Sequence, residues 1–269
     1  MHTLRDAELP ATFETPGYGM NDGACFVGSC SLPLTFEADG GDCPYVVFGE
    51  EARHVSRDLL KNGAIINLTA AKILEERGID TGLAAVGAPL LLPVEHFLAS
   101  GESVFLFGGT KWRTTPKAGA TVESDFVDAD GTRVSGTFSY TNAEGMSFLV
   151  LPFTVKRVGD RREESVIGIY ESYERQKQVA AFAARLGRPV PAVCPGYPDL
   201  YLLCKDGGER RTVGLWNFFA DTARTPRVTL SKTPKRITGT IRCTATIDGD
   251  TVTLSDILPH AMAAFEVEF

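Results

Sequence analysis

The sequence predicts an α+β chain in which a partial α/β segment, residues 1–100, is followed by a mainly antiparallel β-sandwich with one long helix, residues 101–269. Three observations predict it. Apolar runs alternate with helical spacing between Tyr45 and Gly78, giving strand, helix, strand, helix. From about residue 102 the pattern changes to short alternating runs parted by turn residues, as antiparallel hairpins require. One long helical pattern, Tyr173 to Leu186, interrupts those runs.

Residues 1 to 45 are rich in Gly, Pro, Asp and aromatics, with turn signals at Thr15-Pro16-Gly17-Tyr18-Gly19 and Gly40-Gly41, and read as a segment cut from a larger context. Tyr45 to Phe48 is a short buried strand, and Glu50 to Asn62 a helix with Ala52, Val55, Leu59 and Leu60 on one face. Ala64 to Asn67 is a second strand. Thr69 to Arg77 is a helix closed by Gly78, because only glycine enters the left-handed region after a helix at no steric cost. A doubly wound domain needs more such units, so the α/β part is expected to be truncated. Strands are predicted at Ser103–Phe107, Thr121–Val127, Arg133–Tyr140 and Ser147–Val155, with turns at Asp128–Gly131 and Asn142–Gly145. After the long helix and its closing Gly187, further strands run at Leu200–Cys204, Thr212–Phe219, Arg227–Leu230, Arg236–Arg242, Thr251–Leu254 and Ala263–Phe269.

Composition excludes several functions. With 43% apolar and 23% charged residues the chain is an ordinary globular one. Its formal charge of −7 and short basic runs (Arg161-Arg162, Arg210-Arg211, Lys232 to Arg236) argue against nucleic acid and read as solvated turns and strand ends. No apolar run approaches the roughly 18 residues of a membrane span, and the polar, acidic start does not resemble a secretory signal. A cytoplasmic location with reduced thiols is the expectation for its six cysteines.

Candidate chemistry is sparse. Cys25 and Cys30 do not have zinc-knuckle spacing, no ligand pair follows, and the four histidines (His2, His54, His96, His260) form no frame around either thiol. No metal, nucleotide or other cofactor is expected. Glu123, Asp125, Glu163, Glu164, Glu171 and Glu174 are carboxylates of the kind a glycosidase uses, but they fall where charged side chains are ordinarily solvated. The glycine pairs at 40–41, 108–109 and 207–208 lack phosphate-loop context and read as turns. Asn67-Leu68-Thr69 fits a glycosylation sequon, yet its place at a helix start makes a capping role the better reading.

The stretch Asp58-Leu-Leu-Lys-Asn-Gly63-Ala-Ile-Ile-Asn67-Leu-Thr-Ala-Ala-Lys-Ile-Leu-Glu-Glu-Arg77-Gly78, the strand Val213-Gly-Leu-Trp-Asn217-Phe-Phe-Ala-Asp221, and Leu254 to Pro259 with Phe265-Glu266 carry a resemblance. Together they resemble the C-terminal half of large bacterial glycoside hydrolases, where a glutamine-amidotransferase-like domain and then a β-sandwich follow the catalytic barrel. The resemblance implies a non-catalytic accessory or assembly region, whose partners are a missing N-terminal catalytic domain or copies of itself. It also implies that the hydrolytic carboxylates lie in a barrel that this chain has no room for, since a barrel takes about 250 residues.

Aromatic residues provide the remaining sign of function, because sugar rings stack on exposed Trp and Tyr faces. Trp112 is the carbohydrate-binding candidate, placed in the polar, turn-like Gly109 to Pro116, whereas Trp216 sits in an apolar strand and reads as core. Two alternatives stand beside the accessory region. One is a stand-alone carbohydrate-binding module with an exposed aromatic platform; the other is an independent hydrolase using Cys25 or a carboxylate pair.

Overall fold

The computed structural model describes Cys30, Leu32 and residues 44–91, 93–105, 109–154, 157–158, 161–162, 172–195 and 200–269. The readings made above for Cys25, Cys43, Gly40-Gly41, Gly108, Glu163, Glu164, Glu171 and the Arg161 and Arg162 side chains lie outside the described residues or side chains. The chain divides into two compact units, one of residues 1–25 and 36–169, the other of residues 26–35 and 170–269.

In the first unit, the buried run Tyr45–Val47 pairs in parallel with Ala64–Asn67, and Ala64–Asn67 pairs in parallel with Ser147–Leu151. Two antiparallel strands, Phe138–Thr141 and Thr121–Val122, complete this mixed five-stranded sheet. Strands from both sides of residue 100 therefore share one sheet, and the division between units falls at 169/170 where the sequence reading placed it at 100/101. The reason is chemical: Phe148, Leu149, Val150 and Leu151 form an unbroken apolar run, all at 0% exposure, which suits a strand covered on both faces. The edge strand of this sheet is closed to solvent. Tyr45, Val46 and Val47 are at most 4% exposed.

The helix Leu68–Glu76 packs Leu68, Ala70, Ala71, Ile73 and Leu74 into this core. Asn67 caps it as expected: its Oδ1 accepts from the Ala70 N–H at 2.9 Å and also from Gly49 N–H at 3.0 Å. At the other end Gly78, at φ +73°, donates to the Glu75 carbonyl and Ile79 N–H to the Leu74 carbonyl, the paired bonds of a Schellman stop. The predicted helix from 50 to 62 is instead a 3-10 turn, Gly49–Arg53, and a short helix, Arg57–Leu60. Ser56 interrupts it, because its hydroxyl accepts from Leu59 N–H and starts a new helix there.

A second sheet of the first unit runs in the order Phe153–Thr154, Thr110–Pro116, Arg133–Ser135, Ser124–Val127, Val94–Phe97, Ser103–Val104, with Leu83–Pro89 also pairing Thr110–Pro116. Three of these strands were not legible in sequence: Leu83–Pro89, Val94–Phe97, and Thr110–Pro116, the last read above as turn-like. The first is mostly Ala, Gly and Pro, residues with little strand preference, and pairs through two register shifts. The second carries a buried carboxylate, Glu95, whose Oε1 accepts from Ser124 Oγ at 2.6 Å and Thr137 Oγ1 at 3.0 Å.

The second unit is a β-sandwich. One sheet runs Ala192–Val193, Arg227–Leu230, Thr251–Leu254, Ala245–Asp248; the other runs Leu200–Asp206, Arg210–Asn217, Met262–Glu268, Arg236–Ile241. Ala192, Val228, Leu230, Val252 and Leu254 from the first meet Leu200, Leu202, Val213, Leu215, Phe265 and Val267 from the second in one core. The long helix, Tyr173–Arg185, is capped by Ser172 Oγ, which accepts from the Glu174 and Arg175 N–H groups. Gly187, at φ +72°, closes it as the sequence predicts. Arg211, read above as a solvated strand end, is 1% exposed: it donates to the Pro191 carbonyl, Ser231 Oγ and Asp206, and its guanidinium lies 4.8 Å from the Phe269 ring centroid.

Candidate functional site

Trp112 lies on a strand, where the sequence reading placed a turn. It is half-buried on the strand Thr110–Pro116, packs against the core of the first unit, and its Nε1 donates to Thr154 Oγ1 at 3.0 Å. Its backbone N–H donates to the Pro152 carbonyl. It is an anchor between two strands of one sheet.

Trp216, read as core from its apolar strand, is 40% exposed. Strand alternation explains the reversal. Arg211, Val213, Leu215 and Asn217 point into the sandwich, so Thr212, Gly214 and Trp216 face outward. Trp216 stands opposite Tyr201 on one neighbouring strand and Met262 on the other. Phe218, 47% exposed, stacks on Trp216 with centroids 5.0 Å apart and planes 11° from parallel. Tyr201 meets Phe218 edge-on at 5.1 Å and 87°. The signal that finds this site is the period of two along 211–217; what hides it is the polar Asn217 on the inward side.

Asn217 is inward for a reason. Its Nδ2 donates to the carbonyls of Asp221 (2.7 Å), Ile257 (3.2 Å) and Leu258 (3.3 Å), and its Oδ1 accepts from Phe219 N–H at 3.0 Å. One buried amide thus fixes the turn that carries Phe218 and Phe219. Around this platform the outer face continues in rows: Leu203, Gly214, Ala264 and Ile241, then Lys205, Thr212, Glu266 and Gly239. Glu266 accepts from Thr238 Oγ1 at 2.6 Å and Thr212 Oγ1 at 3.4 Å.

The remaining sequence candidates are not gathered into a site among the described residues. Burial pushes the Cys30 thiol up to about 12, against the pull of Arg175, and burial pushes Cys194 to about 12 and Cys204 to about 11. Such thiols are poor nucleophiles at neutral pH. Asp125 faces Arg133 at 3.6 Å and Glu174 holds Lys177 at 2.7 Å, while Glu123 and Asp125 belong to one unit and Glu174 to the other. No group of three metal-ligating side chains occurs among the described residues, and no helix there is long and apolar enough to cross a membrane.

A second polar cluster lies in the first unit. Lys117 Nζ bridges Asp80 (2.7 Å) and Glu75 (3.2 Å), the Tyr140 hydroxyl donates to Asp80 at 3.0 Å, and Thr81 donates to Glu75 from both its N–H and hydroxyl. Burial works to raise the Asp80 carboxyl, but hydrogen bonds from Lys117, Gly82 N–H and Tyr140 together hold it below the usual range. These contacts tie the 78–82 loop to the helix Leu68–Glu76, to Tyr140 and to Lys117 just past the strand Thr110–Pro116, so the cluster is a clasp.

No family model matches the sequence, and a search of curated proteins finds no match. Solved structures do share the fold. The α-L-fucosidase isoenzyme 2 of Paenibacillus thiaminolyticus aligns with 94% of this chain at a TM-score of 0.53 and 9% identity, over 46% of its own length. The cold-adapted β-galactosidase of Rahnella sp. R3 aligns with 92% at a TM-score of 0.51 and 10% identity, over 36% of its own length. This chain is thus similar in fold to a part of each glycoside hydrolase and spans less than half of either.

Proposed function

We propose that this chain is a glycoside hydrolase-related accessory region, serving assembly or substrate contact for a catalytic domain that it does not itself contain. The observation that carries the reading is the alignment of nearly the whole chain, 94%, with less than half of a glycoside hydrolase, 46%. On this reading the parallel strands Tyr45–Val47, Ala64–Asn67 and Ser147–Leu151, with the helix Leu68–Glu76, are an amidotransferase-like remnant.

The test is turnover. The purified chain, incubated with p-nitrophenyl glycosides including the β-galactoside and α-fucoside, is expected to release no nitrophenol above buffer. Release that a single carboxylate substitution abolishes would overturn the reading in favour of an independent hydrolase.

A further inference from the structure

We propose that the outer face of the second unit's Leu200–Asp206, Arg210–Asn217, Met262–Glu268, Arg236–Ile241 sheet binds a neutral oligosaccharide, seated over Gly214 and against Trp216. The proposal rests on the glycoside hydrolase reading for the class of ligand, and on the following geometry for the site.

Three rows cross this face. The first is aromatic and apolar, Tyr201, Trp216 and Met262, with Phe218 stacked on Trp216. The third is polar, with Lys205, Thr212 and Glu266 in register and Thr238 bonded to Glu266. Between them the two central strands contribute only Gly214 and Ala264, flanked by Leu203 (44% exposed) and Ile241 (55% exposed) on the outer strands. The middle row is therefore low at its centre, with an aromatic row on one side and hydroxyl and carboxylate groups on the other. A pyranose ring has matching chemistry: C–H groups on one face for the negative face of an indole, and hydroxyls around the rim for Thr212, Glu266 and Lys205.

Gly214 provides an independent observation. A Cβ there would meet only Leu203 Cβ at 3.9 Å and the Ala263 carbonyl at 4.0 Å, both ordinary contacts, and its φ is not in the left-handed region. Neither packing nor backbone demands glycine. Glycine weakens a strand interior, and its presence there marks a place where something approaches the sheet closely. The turn that carries Phe218 is fixed by the buried Asn217 amide, and Phe218 in turn packs on both Trp216 and Tyr201, which favours a platform formed before any ligand arrives.

The experiment follows tryptophan emission of the whole chain during titration with cellohexaose, xylohexaose, mannohexaose and β-1,4-galactohexaose. At least one is expected to give a saturable change that Trp216→Ala removes. Gly214→Val, which fills the low centre with a strand-favouring side chain, is expected to weaken that binding by at least about tenfold. Its melting temperature should equal or exceed the parent's, which separates a blocked site from a misfolded one. The proposal is overturned if no oligosaccharide perturbs the emission, or if Gly214→Val binds as the parent does. A parent dimer that Trp216→Ala converts to monomer, seen by light scattering, also overturns it by giving this face to a second copy. Loss of the platform without glycoside turnover leaves the accessory reading standing, whereas turnover removes that reading whatever the platform does.

Discussion

Asn67 shows how one side chain serves two elements. Its Oδ1 accepts from Ala70 N–H and Gly49 N–H while the residue is 3% exposed, so removing it strands one buried and one part-buried donor. Asn67→Ala is expected to cost about 2 kcal/mol, at the upper end for a helix cap, read as a shift of the urea midpoint. Gly82 is constrained differently. At φ +81° a Cβ would lie 2.4 Å from Tyr140 Cγ, so Gly82→Ala combines backbone strain with overlap and is expected to cost about 3 kcal/mol in the same measurement. Gly214 makes the opposite prediction, since nothing around it objects to a side chain. The capping role of Asn67 was legible in sequence because it needs only a local pattern. The exposure of Trp216 was not: it lies on a strand, and which face of that strand is covered depends on strands far away in the chain.

Among the elements, the two longer helices, Leu68–Glu76 and Tyr173–Arg185, and their stops were read well, since Gly78 and Gly187 end them through contacts within a few residues, whereas the helix expected over 50–62 was broken at Ser56. Strand membership was harder. Ser147–Leu151 lies in a hairpin with Phe138–Thr141, as its turn signals predict, yet its other neighbour is Ala64–Asn67, some eighty residues earlier. No turn residue encodes that parallel pairing; only the unbroken apolar run suggests it. Phe148 is fully buried there, so Phe148→Ala is expected to cost about 4 kcal/mol, and hydrogen exchange should show faster exchange at both Ser147–Leu151 and Ala64–Asn67. Unchanged protection at Ala64–Asn67 would contradict the pairing. Val94–Phe97 escaped the sequence reading because Glu95 breaks the expected alternation, and its burial makes sense only beside Ser124 and Thr137.

At the scale of the molecule, each unit contains a carboxylate whose charged form is favoured by folding. Asp80 has its clasp, and Asp206 is held low because the Arg211 bond and Gly208 N–H outweigh burial. Both shifts are downward, so the stability they contribute is present above the unfolded value of about 3.9 and is lost as pH falls through the folded values. Lys117 is shifted upward by Asp80 and Glu75, so its contribution is present below the unfolded value of about 10.4 and is lost as pH rises through the folded one. Urea midpoints measured across pH should therefore be flat in the neutral range and fall at both extremes. Lys117→Met should shrink both limbs, and the alkaline one only in part, because the thiols of Cys30, Cys194 and Cys204, raised by burial, also lose stability as pH rises past their unfolded value. The mainly antiparallel part of the fold class was legible from patterning, and nearly the whole chain, 94%, aligns with a part of one glycoside hydrolase. The outer face of that sandwich was not, because exposure belongs to the assembled sheet.

Frontal affinity chromatography of the hexaose panel over the immobilised chain tests the central claim most directly, because one trace reports both retention and cleavage. The account predicts that at least one oligosaccharide is delayed and elutes at its original length. Elution of shortened products would contradict it, and would place a working hydrolytic site within this chain.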